Sequence, residues 1–191
     1  MYKNKIKYIN DGFNADLVTT TLFEGILEIP IISVNEIIIP DEIIPFSKIN
    51  RSNDHLEFIH FYEHDEIFFQ LFIIPIVTNE FKKFRGIINL DATLYIDMPL
   101  VLQLANIYIS RALGYYYYAQ GIYVIPNERW GDERTYSISV PEAASFLGIP
   151  KNSIVSIGTY GCIRGEEKRY HFNTKSCYRI WFYTFRYLWR I

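Results

Sequence analysis

The chain is poor in the features that announce most chemistries. It has two cysteines, Cys162 and Cys177, and no Cys-x-x-Cys. Two thiols make no disulfide framework, which points to a reducing cytoplasm. Charge is nearly balanced, with 19 Lys and Arg against 21 Asp and Glu, so no global basic field recruits nucleic acid or anionic membrane. The most apolar run, Ile67 to Val77, is broken by Gln70 and Pro75 and is too short to span a bilayer. The opening Met1-Tyr-Lys-Asn-Lys-Ile-Lys7 has no apolar stretch behind its lysines, so no signal peptide is read there. Glycine-rich phosphate loops are missing too. Gly158-Thr-Tyr-Gly-Cys-Ile-Arg-Gly165 has the wrong spacing for a P-loop or a dinucleotide fingerprint, and no Gly-x-Ser-x-Gly occurs. These absences leave a soluble, cytoplasmic protein.

What is plentiful is aromatic. Sixteen Tyr and 14 Phe supply bulky packing and many phenolic hydroxyls that need partners when buried. With half its 191 residues apolar and 21% charged, the chain reads as one globular domain over 1–191. Residues 1–20 are polar and weakly periodic, a loose lead-in.

Proline-punctuated apolar runs predict strands at Leu27–Ile32, Glu36–Ile39 and Ile43–Phe46. From Leu56 the rhythm is regular. Leu56–Tyr62 reads as a strand, and Asp65 as the cap of a helix to about Val77. Gly86–Asp91 reads as a buried strand. A helix then opens at Asp97-Met-Pro99, capped by Asp97 with Pro99 in its first turn. Its expected core face is Val101, Leu104, Ala105, Tyr108 and Ala112. The strand Gly121–Ile125 stops at Pro126, a short helix covers Pro141–Leu147, Ser153–Gly158 is a further strand, and Glu166 onward reads as helix. Nearly all-apolar strands alternating with helices predict an α/β fold with a parallel sheet, either a partial (β/α) barrel or an open doubly wound sheet. A full barrel usually needs about 250 residues.

In both architectures ligands bind at the carboxyl ends of the strands. Four strand ends release polar residues: His60–Asp65, Asp91–Tyr95, Asn127–Arg134 and Thr159–Cys162. They predict one shared site; the alternative is a chain merely turning in water. The candidate catalytic residues are Asp91, Asp132 and Glu133, Asp91 pairing with Glu128, Asp132 or Glu133 for acid–base work. The candidate ligand-binding residues are His60, Asp65, Arg111, Asn127, Arg129, Trp130 and Thr159. Arg111 and Arg129 suit a bidentate phosphate or carboxylate clamp; Arg129 and Arg134 also suit structural ion pairs with the acids of these loops. Trp130 suits stacking on a base or sugar, or capping the core. No metal residues are assigned, although carboxylates such as Asp65 and Asp91 suit a divalent cation. His60-Phe-Tyr-Glu-His64 spells a zinc-protease pattern, but that pattern needs a helix and this stretch reads as strand. Cys162 has no His base placed beside it by spacing.

Several motifs in order resemble an uncharacterised domain-of-unknown-function family of bacteria, phages and other mobile elements. They are Asp91 with Tyr95-Ile-Asp-Met-Pro99, then Asn106, Tyr108, Arg111 and Gly114, then Ile125-Pro126 through Trp130, Asp132 and Glu133, then Pro150 through Gly161. The resemblance covers roughly residues 55–172. It implies no settled activity. His64 departs from the family pattern, and so does the tail, residues 173–191. That tail reads as a helix packing its aromatics, as a basic-aromatic patch for nucleic acid or lipid, or as a frameshifted or truncated end.

Three functions follow. One is an enzyme acting on a small polar or phosphorylated ligand, with Asp91 as base or metal ligand and Arg129 as anion clamp. Another is a non-catalytic binding or interaction protein, associated with nucleic acid through its tail. The third is a truncated, inactive relative. Cofactor and oligomeric state are left open.

Overall fold

In a computed structural model the described residues are 15–34, 36–67, 71, 78–137, 142–158 and 180–184. An antiparallel ladder comes first, β1 (Phe23–Glu24) with β2 (Ile29–Pro30). Only that part of the expected 27–32 run is strand, and 36–39 is not.

The main sheet follows. β3 (Ile43–Pro45), β4 (Phe58–His60), β5 (Gly86–Ile88) and β6 (Val124–Ile125) are parallel and lie side by side in chain order. A doubly wound sheet reverses its order at a switch point. Sequential order without reversal is the barrel arrangement. Among the described residues the sheet stays open.

Pro126 ends β6, as its position in the sequence suggested. The chain passes through it and re-forms as β7 (Asn127–Glu128), which pairs in parallel with β8 (Ile154–Gly158). The Ser156 N–H donates to the Pro126 carbonyl at 2.9 Å. Proline has no donor for β5, and its carbonyl turns the chain to a new neighbour. Residues 124–128 therefore link the two sheets. β9 (Ile180–Thr184) lies antiparallel to β8. This corrects the all-parallel expectation and the helix expected beyond Glu166 at these five positions.

The longest helix corrects two further expectations. The described helical segments with defined bounds are α1 (Thr78–Phe81), α2 (Leu100–Ala119) and α3 (Glu133–Tyr136). α2 has Pro99 at its N-cap position and no side-chain cap, while Asp97 sits at φ 68°, in the left-handed region. Of its expected face, Ala112 is buried and Leu104 and Tyr108 pack half-buried against a core, but Val101 is 70% exposed. The buried stripe is Gln103, Ile107, Ser110, Gly114 and Tyr117, with Arg111 beside it. Apolar residues lie all round α2, so their spacing named no face; the polar residues that meet the sheet edge did. Around Pro141–Leu147 the described part is a 3-10 turn at Ala144–Phe146.

Period-two alternation divides the sheet between two cores. Ile44, Ile59, Ile87 and Val124 face outward, under Phe81, Leu113 and Tyr117 of the helices. Phe58, Tyr62, Ile88, Ile125 and Ile154 form the core on the opposite face. Strand residues two apart share a face. Continuing that face toward the carboxyl ends therefore gives Asn127 after Ile125 and Ser156 after Ile154. Polar side chains crown an apolar floor.

Candidate functional site

Three strand ends meet above that floor. Asp91, just past β5, is 5% exposed. Its Oδ1 accepts from Asn127 Nδ2 at 2.7 Å, and its Oδ2 pairs with Arg129 Nη1. Asn127 Oδ1 in turn accepts from the Tyr62 hydroxyl at 2.8 Å, and that hydroxyl also bonds Ser156 Oγ. The chain of contacts Arg129–Asp91–Asn127–Tyr62–Ser156 thus draws on β4, β5, β7 and β8 or the residues just beyond them. At Gly158 an added Cβ would stand 2.4 Å from the Tyr62 ring, so only glycine leaves the ring its place.

Burial sets the electrostatics. It raises the Asp91 carboxyl against the lowering pull of Arg129 and Asn127, with Asp65 adding to the rise. Tyr62 is raised for the same reason, with the Asp91 charge reinforcing it. His60, 2% exposed in β4, is lowered to about 4 by burial and is a neutral imidazole at pH 7. Its Nδ1 accepts the Tyr62 N–H at 3.3 Å.

The other candidates fall in different places. Asp65 accepts from Thr93, at 3.2 Å from the amide and 2.7 Å from the hydroxyl, tying the loop after β5 to the segment after β4. Asp132 caps α3 and accepts from Arg134 Nη2 and from Gln103 Nε2, each at 2.7 Å. These contacts hold its carboxyl well below the usual range. Glu133 is exposed in the first turn of α3. Glu128 is buried against Arg111, which lowers its carboxyl while burial raises it more, to about 8. Among the described residues none of these three carboxylates is hydrogen-bonded to Asp91.

Arg111 stands behind the site rather than at its mouth. It is 2% exposed, and its three nitrogens donate to the carbonyls of Leu147 (2.9 Å), Asn127 (2.7 Å) and Ser145 (2.8 Å), and to Glu128 Oε2 at 3.3 Å. Asn106, from the same helix, reaches the Thr93 carbonyl at 2.7 Å. Between α2 and the strand ends lies a crevice of about 10 Å³, lined by Asp91, Asn106, Ser110, Arg111, Asn127 and Arg129. That is room for about one water. Trp130 follows at 38% exposure.

Thr159 and Cys162 lie outside the described residues. No group of three or more His, Cys, Asp or Glu gathers for a metal among the described residues. The His60-to-His64 zinc pattern begins in strand, where the two imidazoles do not share a helical face; Glu63 between them bonds Ser47. No described helix is long and apolar enough to cross a membrane. Sequence reasoning missed Tyr62 and Ser156. Ser156 left a trace, as a hydroxyl in the middle of an otherwise apolar strand.

Residues 22–181 match the family model described as "Domain of unknown function (DUF4417)". The match extends beyond 55–172 at both ends and reaches into the tail. Among curated relatives, "Gene 1 protein" of Mycobacterium phage L5 is 35% identical over 80 residues, 42% of this chain and 32% of that protein. "Gene 1 protein" of Mycobacterium phage D29 is 35% identical over 71 residues, 37% of this chain and 24% of its own length. The aligned part is thus a third or less of those relatives. No solved structure matches.

Proposed function

We propose, for a chain that belongs to the DUF4417 family of unknown function, that it is an α/β enzyme of phage or mobile-element type acting on a small polar or phosphorylated ligand. The ligand is held at the carboxyl edge of the sheet. Asp91 is the base, Arg129 the anion clamp, and Asn127 orients the carboxylate between them.

One observation carries this reading: a carboxylate 5% exposed, paired with a cation and an amide where parallel strands end. Burying such a pair seldom adds stability over an apolar pair of the same size, so its presence favours a role in recognition or chemistry. The raised proton affinity of Asp91 makes it a stronger general base than an ordinary carboxylate.

The test is thermal denaturation against divalent metals, nucleotides and phosphorylated metabolites. A ligand at 100 times its Kd stabilises by about 2.7 kcal/mol, roughly 5–10 °C for a chain of this size. The shift should vanish in Asp91→Asn. A shift that persists in that variant would place the ligand elsewhere and end this reading.

A second reading, binding without chemistry, is favoured by the water-sized crevice and by the occupation of both Asp91 oxygens. Binding lost in Asp91→Asn but accompanied by no chemical change in the ligand would select it.

A further inference from the structure

We propose that the ligand of this site is a nucleotide, its phosphate on Arg129 and its base on the aromatic pair Trp130 and Tyr95. The inference rests on the reading above and names the ligand class that the mouth of the site fits.

Arg129 supplies the anion end. Its side chain keeps 20% exposure while Nη1 is held by Asp91, and among the described residues its Nε is buried without an acceptor. A guanidinium carries five donors in one plane, matched to the oxygens of a phosphate. Leaving one of them buried and unsatisfied is costly, and a modest turn of the side chain toward an oxyanion at the mouth relieves it. The crevice behind the pair admits about one water, so the phosphate sits in front of Arg129 and not within the fold.

The base end comes from the neighbouring loops. Trp130 is 38% exposed and Tyr95 55%. The two loops touch where Gly131 follows Trp130: an added Cβ there would lie 3.1 Å from the Tyr95 carbonyl and 2.2 Å from Gln103 Oε1. The missing side chain therefore lets the loop after β5 and the loop after β7 close on each other, so that two loops meeting next to Arg129 each carry an exposed aromatic residue. Exposed aromatic faces next to a cation are how bases are bound without sequence reading, by stacking. A free nucleotide and a nucleotide within a single strand share this chemistry.

Isothermal titration of the full chain tests it, with adenosine 5′-monophosphate, adenosine, inorganic phosphate and a short single-stranded oligodeoxyadenylate as probes. The expected result is that the monophosphate binds at least about tenfold tighter than phosphate or adenosine. Trp130→Ala should remove that tenfold advantage, about 1.4 kcal/mol, while Trp130→Phe keeps it. Arg129→Gln should abolish binding of the monophosphate. An oligonucleotide binding more tightly still would identify the source as a strand. Equal affinity for phosphate and monophosphate, or a folded Trp130→Ala with unchanged affinity, would overturn the nucleotide assignment and leave an anion site standing. If all four probes fail, this inference falls. The wider reading falls with it only if no ligand of the thermal screen gives a shift that depends on Asp91.

Discussion

The Tyr62 hydroxyl donates to Asn127 Oδ1 across 2.8 Å, joining the end of β4 to β7. The same hydroxyl meets Ser156 Oγ on β8. One phenol therefore orients the amide that holds Asp91. Tyr62→Phe keeps the ring and removes the bond. It should cost about 1–3 kcal/mol in urea denaturation, because buried polar atoms lose their partner. It should also reduce any Asp91-dependent ligand shift. Unchanged stability and unchanged binding would show that Asn127 is oriented by Asp91 alone.

Arg111 and Glu128 form the second buried pair, with side chains 3% and 1% exposed. Arg111→Met strips the cation from Glu128 and the donor from three carbonyls. The expected loss is about 3–5 kcal/mol. Combining it with Glu128→Leu should recover much of that loss, since the buried acid left without its hydrogen-bond donor goes too. A double variant no better than the single one would assign the cost to the carbonyl contacts.

Gly148 and Gly121 share a left-handed backbone, φ 76° and 82°, but not their surroundings. A Cβ at Gly148 would stand 2.3 Å from the Pro30 carbonyl, whereas among the described residues nothing beyond its chain neighbours lies within 4 Å of one at Gly121. Gly121→Ala should cost about 1–2 kcal/mol, the left-handed penalty alone. Gly148→Ala adds a backbone clash and should be the worse by at least 1 kcal/mol or so. Equal melting temperatures would show that the Gly148 turn yields.

Two buried groups tilt stability with pH in opposite senses. His60 is lowered from 6.5 to about 4, so the unfolded chain binds more protons between those values. Stability therefore rises with pH across that window and is lost on acidification. Glu128 is raised from 4.5 to about 8, so there the folded chain holds the extra proton and stability falls as pH rises. Each slope is at most about 1.4 kcal/mol per pH unit. His60→Gln should remove the rising contribution and leave the Glu128 fall, so between pH 4.5 and 6.5 the variant's stability declines with pH relative to the parent. A profile of the same slope in both chains would remove His60 as a source.

Much of this was legible in order along the chain. The apolar runs at 43–46, 56–62, 86–91, 121–125 and 153–158 each contain a strand, because short buried strands need continuous apolar sequence. The carboxyl ends of β4, β5 and β7 do converge, and Asp91, Asn127 and Arg129 meet there. Contacts between elements were not legible. Tyr62 is one of 16 tyrosines, and its role exists only because Asn127 and Ser156 arrive beside it. Arg111 stood out as a ligand clamp, yet its helix turns it inward, onto carbonyls 16 to 36 residues away in sequence.

By itself the sequence determined the α/β class, the strand succession and the polarity of the strand ends, since each follows from local spacing of apolar residues and turn formers. Only the tertiary structure decided which face α2 buries, that Pro126 passes the chain from one sheet to the next, and that 180–184 returns antiparallel. It also decided that Asp91 belongs with Arg129 and Asn127 and not with Asp132 or Glu133. The physical reason is the same in each case. A side chain with several partners within reach takes the one that packing brings to hydrogen-bonding distance, and that distance is set by residues far away in the chain.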